Sequence, residues 1–83
     1  MTILARDPKQ IGNAIRRARK ELGMSQLELG DKSGLRQETI SLIETGNPAS
    51  RIDTLLSILA ALNLEFQIKS RIKNLDKDLE YMP

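Results

Sequence analysis

Eighty-three residues make one small domain, and a fold of this size buries only about 60% of the surface its unfolded chain exposes, which leaves room for help from a partner chain. The chain has no cysteine and no histidine, and it shows no paired carboxylates, Gly-rich phosphate loop or GxSxG elbow, so no catalytic residue, metal or cofactor is expected. Net charge is only +2, but residues 6–20 carry six basic groups (Arg6, Lys9, Arg16, Arg17, Arg19, Lys20) against the single acid Asp7, a local excess that points to a polyanion.

Asp7-Pro8 opens the first helix, because Asp caps orphan amides and Pro at the first helical position lacks an N–H where none is needed. Ile11, Ile15, Ala18 and Leu22 fall on one stripe, and Gly23 ends the helix. Ser25 caps a second helix with Glu28 three residues on, the spacing of a capping box; Leu27 and Leu29 are expected to begin its buried side. Ser33-Gly34 stops it after barely two turns, Gly34 suiting the left-handed conformation at a helix end. A third helix is predicted over Gln37 to Glu44, with Ile40 and Ile43 inward and Gln37, Glu38 and Ser41 outward, closed by Gly46-Asn47-Pro48. The fourth, Ile52 to Leu62, is apolar on nearly all sides and is expected to form the centre of the core.

From Leu64 the period changes from 3.6 to 2. Leu64, Phe66 and Ile68 alternate with Glu65, Gln67 and Lys69, the pattern of a half-buried strand. One strand cannot satisfy its own backbone, and the simplest partner is the same segment of a second chain across a two-fold axis; Thr2 to Ala5 is the rival. Residues 1–70 thus read as the folded and dimerising unit and 71–83 as a charged tail, either frayed or a short partner-binding helix with Leu75, Leu79 and Met82 at helical spacing. The longest apolar run, Leu55 to Leu62, is far shorter than the ~20 residues a membrane span needs. Arg6, Asp7 and Lys9 break up any signal peptide, so a cytoplasmic location is the default.

Two short helices joined by a tight turn, after a basic helix and before an apolar one, form a geometry that lets the second of the pair enter the major groove. The stretch IRRARKELGMSQLELGDKSGLRQETISLIETGN resembles the Cro/phage-repressor type (XRE) of helix-turn-helix proteins, and with NPASRIDTLLSILAALNLEFQI it is similar to the HipB-type antitoxins within that family. The residues carrying the resemblance are Arg19, Ser25-Gln26, Gly34, Thr39-Ile40-Ser41 and Ile43-Glu44 with Gly46, while Leu64 to Ile68 points to the HipB branch, whose dimers pair this strand. The resemblance implies a mainly α, lambda-repressor-like domain of four to five helices with a short C-terminal β-strand pairing across a homodimer. It also implies a repressor of its own operon that binds an inverted-repeat operator and, as an antitoxin, a HipA-type kinase toxin.

Carried over position by position, Arg36, Gln37, Glu38, Ser41 and Leu42 face DNA bases. Gln37 suits adenine N6/N7 and Arg36 a guanine or a phosphate. Glu38 suits cytosine N4, or is simply an acid at a helix N-terminus. Ser25, Gln26, Thr39, Thr45, Asn47, Arg16 and Arg17 are phosphate candidates, with Lys20 adding charge; capping accounts equally well for Ser25, and solvation for the cations of the first helix. The family pairs the Arg19 and Glu44 positions in a bridge, which assigns them structure and not readout. Two departures stand out: Arg36 replaces the usual Ser or Thr cap, and Gly30 the usual Ala, at about 1 kcal/mol of helix propensity. A stand-alone phage-repressor-like regulator is the alternative within the class. An interaction module without DNA is the alternative outside it, and Arg36, Gln37 and Ser41 speak against that by supplying polar readers.

Overall fold

The computed structural model describes residues 3–71, which form four helices: α1 (Pro8–Glu21), α2 (Gln26–Ser33), α3 (Gln37–Glu44) and α4 (Ile52–Ala61). The charged tail, read as frayed or as a short partner-binding helix, lies outside the described residues beyond Arg71. The first two helices start where local capping chemistry places them. Asp7 Oδ1 accepts from the Gln10 amide at 2.7 Å with Pro8 at the first helical position, and Gln10 Oε1 accepts in return from the Arg6 amide at 2.6 Å. At α2 the capping box is complete: Ser25 Oγ accepts from the Glu28 amide, and Glu28 Oε1 from the Ser25 amide, both at 3.0 Å. Helices α3 and α4 follow Arg36 and Arg51, neither of which makes a side-chain cap.

The ends are equally local. All four helices close with the same six-to-one bond, from Met24 N to Arg19 O (3.1 Å), Leu35 N to Gly30 O (2.8 Å), Asn47 N to Leu42 O (3.0 Å) and Leu64 N to Leu59 O (2.8 Å). α2 ends at Gly34, whose φ of 75° is the left-handed conformation that a Cβ disfavours.

The four helices share one core. Ile15, Leu29, Ile40, Ile43, Ile58, Leu59 and Leu62 are buried, with Ile11, Ala18, Met24, Leu35, Leu55 and Ala61 packed around them. α3 packs on α1 and α2, and α2 also on α4.

Three expectations need correction. Leu27 is exposed, because it stands two residues, about 200° of helical rotation, from buried Leu29 and so faces the other way. Leu22 is exposed because α1 stops at Glu21, and the stripe it would have continued ends with the helix. α4 is not buried on all sides: Ile58 and Leu59 enter the core, while Ile52 is 71% and Leu56 48% exposed. One chain of this size has too few elements to surround a helix. No strand is formed among the described residues. In the single chain Leu64 to Ile68 runs without a ladder partner, and Ile3 to Ala5, the described part of the rival partner, does not pair with it.

Candidate nucleic-acid interface

The α2–α3 unit is set by two close backbone approaches. A Cβ on Gly30 would sit 2.7 Å from Leu35 O, and the Leu35 amide donates to Gly30 O at 2.8 Å, so the chain entering α3 lies directly against α2. The glycine that departs from the family pattern therefore has a steric reason. A Cβ on Gly12 would likewise lie 2.7 Å from Glu44 O, and Ile43 O is also against it, so α1 crosses the end of α3 at backbone contact. Sequence reasoning passed over Gly12. Its signal was available: Gly12, Ile15 and Arg19, at spacings of three and four, are the buried residues of α1.

Between these contacts α3 is clamped along one side by Ile40 and Ile43 and open along the other. Arg36, Gln37 and Glu38 are exposed and Ser41 is half-buried. Leu42 is 54% exposed, an apolar side chain on the open face with no core partner. Thr39 is half-buried between the two faces. The polar groups around α3 differ in what they have left to offer. The Thr45 hydroxyl lies within donating distance of Ser41 O (3.1 Å) and Leu42 O (2.9 Å), so its proton is engaged at home. Asn47 Oδ1 accepts from the Ala49 amide at 3.1 Å, which leaves its NH2 to face a ligand. Arg16, Arg17 and Lys20 are exposed on α1.

Arg19 and Glu44 meet in a bidentate pair, Nε to Oε2 at 2.7 Å and Nη2 to Oε1 at 3.0 Å, with side-chain exposures of 10% and 2%. The hydrogen bond to Glu44 holds the Arg19 guanidinium above its ordinary pKa against the opposing effect of burial. Arg19 Nη1 also donates to Met24 O at 2.8 Å, fastening the α1–α2 turn. Gln26, expected at a phosphate, donates its Nε2 to Glu44 Oε1 at 3.2 Å. Ser25 serves the capping box, and that box keeps the Glu28 carboxyl below its usual pKa, through the Ser25 backbone amide first and its hydroxyl second.

An arrangement of this kind can present a short rigid row of side chains to a groove about 12 Å wide while basic groups flank it. It holds no group of His, Cys, Asp and Glu suited to a metal among the described residues. No described helix is long and apolar enough to cross a membrane.

The profile of a helix-turn-helix family matches residues 15–69. Antitoxin HipB of Escherichia coli (strain K12) is 34% identical over 61 residues, covering 74% of this chain and 69% of the relative. An uncharacterized HTH-type transcriptional regulator of Haemophilus influenzae is 40% identical over 58 residues, or 69% of this chain and 59% of that one. Among solved structures, HipB in a HipB–O4 20mer complex superposes with a TM-score of 0.75 at 32% identity, covering 80% of this chain and 93% of that chain. A chain of the HipA–HipB–O2–O3 complex gives 0.73 at 34% identity, with the same coverage of 80% and 93%. The chain belongs to the Cro/phage-repressor type (XRE) helix-turn-helix family, in its HipB-type branch.

Proposed function

We propose that this protein is a DNA-binding antitoxin that represses its own operon as a homodimer and binds a HipA-type kinase toxin. The observation that carries the DNA reading is the open face of α3: Arg36, Gln37 and Glu38 project from a helix end held rigidly by the Gly30–Leu35 contact, with no competing protein partner for Arg36, Gln37 or Glu38 side chains among the described residues. Gln37 grips adenine through N6 and N7, Arg36 reaches guanine or phosphate, Glu38 accepts from cytosine N4, Ser41 serves either donor or acceptor edges, and Leu42 meets a thymine methyl. Ser25, Gln26, Thr39, Asn47, Arg16 and Arg17 supply backbone contacts that fix register, while Thr45, its proton held by Ser41 O and Leu42 O, has no side-chain donor left for a phosphate. Solved complexes of HipB relatives with operator fragments and with HipA support the partners.

The dimer rests on what one chain leaves uncovered. Leu64 and Phe66 are 44% and 47% exposed, Ile68 is fully exposed, and Ile52 and Leu56 of α4 are exposed as well. Pairing the Leu64–Ile68 strand with its copy satisfies the backbone and covers these side chains together. It also sets two copies of α3 about 34 Å apart, one DNA turn, which matches an inverted repeat.

An electrophoretic shift assay on the DNA upstream of the gene tests the proposal. Salt-sensitive retardation at an inverted repeat is the expected result, and the complete lack of it at every palindrome there would sink the DNA reading. Co-purification with a HipA-type kinase tests the toxin partner separately.

A further inference from the structure

Three helices of the interface meet at one buried polar node. Arg19 from α1 grips Glu44 at the end of α3, and Gln26, the first residue of α2, donates its carboxamide to the same Glu44 at 3.2 Å. A free glutamine side chain can turn either its NH2 or its oxygen toward a neighbour. A carboxylate in a guanidinium pair only accepts, so Glu44 selects the NH2 end and sets the plane of the amide. Gln26 is half-buried, and its second Nε2 hydrogen has no acceptor among the described residues.

We propose that Glu44 is a positioning residue for DNA binding: anchored by Arg19, it aims the Gln26 carboxamide so that its second N–H donates to a backbone phosphate. The inference rests on the DNA-binding reading and deepens it. It also moves the Arg19–Glu44 pair from scaffold alone to a part of the readout. An amide held in place before DNA arrives loses less rotamer freedom on binding, which is how a buried pair contributes affinity without touching the ligand. Arg19 strengthens the arrangement by holding the Met24 carbonyl, which fixes the turn from which α2 begins.

The test is a double-mutant cycle on the full chain with an inverted-repeat duplex, read as Kd and as the slope of log affinity against log salt. Gln26→Met should weaken binding about tenfold or more over the two half-sites of a dimer. The slope of log affinity against log salt should stay that of the wild type, because a neutral amide displaces no counterion from the phosphate. On the Arg19→Met/Glu44→Met background, where the carboxylate is gone and the pair is replaced by apolar volume, the same substitution should change Kd less than about threefold. An equal loss on both backgrounds overturns the proposal. Wild type free of DNA gives a check that needs no variant. One of the two Gln26 side-chain amide protons should be shifted downfield and slow to exchange with water, and a pair with the shifts and exchange rate of a free glutamine would also overturn it. A wild type that binds with salt dependence while Gln26 behaves additively defeats only this inference. A wild type that binds no DNA defeats the reading beneath it.

Discussion

Between Ser25 and Glu44 a single chain supplies both halves of each contact that matters: Ser25 with Glu28, Gly30 with Leu35, Glu44 with Gln26 and Arg19, and Leu29 and Ile40 at 0% exposure. From Ile52 onward the pattern changes. The inner side of α4 is finished, yet Ile52, Leu56, Leu64, Phe66 and Ile68 are left to water by every described residue of the same chain. The shape of the α3 face is thus a property of the monomer, while in the proposed dimer the spacing between two such faces would belong to the surface the monomer leaves open. Substitutions in the two regions should fail in different ways.

The first region should break most severely at its buried charge pair. Arg19→Met leaves the Glu44 carboxylate buried beside Gln26 with its guanidinium gone, and the expected loss is about 3–5 kcal/mol in urea unfolding. The Arg19→Met/Glu44→Met double variant leaves no unpaired charge and should recover most of that loss. Equal destabilisation of single and double variants would show that packing, not the orphaned charge, sets the cost.

The second region should break without unfolding. Phe66→Asp puts an ion where the proposed strand pair buries an aromatic ring, and the dimer dissociation constant should rise about 100-fold or more. Sedimentation should then show a monomer whose circular dichroism is still that of the wild-type helices. Retention of full affinity for an inverted repeat by that monomer would remove the strand as the scaffold of readout.

Much of the first region was legible in the sequence because its signals are local. The Ser25/Glu28 box and Gly34, like Asp7-Pro8 ahead of them, each act within four residues of themselves, and these residues place the starts of α1 and α2 and the end of α2. Burial was less legible. Leu27 looked like a core residue by composition, yet faces the opposite side from Leu29; α4 looked surrounded because it is rich in Leu and Ile, although the chain has no element to cover Ile52 and Leu56. The period-2 run after Leu64 is plain as a pattern, but a ladder needs a second strand, and among the described residues one chain offers none.

Close helix approach is a third kind of information, visible only as glycines without an evident turn. Gly30→Ala and Gly12→Ala would each drive a Cβ into backbone carbonyls, 2.7 Å from Leu35 O and from Glu44 O respectively. Backbone cannot swing aside as a side chain does, so each should cost about 1–3 kcal/mol even after gaining about 1 kcal/mol of helix propensity. Thermal unfolding measures the balance. A stabilised Gly30→Ala would mean that α2 and the α3 entry move apart freely, contrary to a monomer-defined α3 face.

The smallest effect concerns the α2 cap. Glu28 is exposed, and its carboxyl is held below its usual pKa by the Ser25 amide and, second, the Ser25 hydroxyl. A depressed folded-state pKa means that the box contributes its stability above the unfolded carboxylate range and loses it as pH falls through the folded-state value. Side-chain NMR of Glu28 should therefore give a midpoint below that of an unstructured glutamate. Ser25→Ala removes the hydroxyl and loosens the turn that aims the backbone amide, so the midpoint should move back up, with a loss of about 1 kcal/mol from the missing cap. The dimer should be indifferent to this change, since no part of the box lies in α4 or beyond. If Ser25→Ala weakened dimerisation as much as it weakened the fold, the two regions would not be separable, and spacing and shape of the α3 faces would have to be treated as one cooperative property.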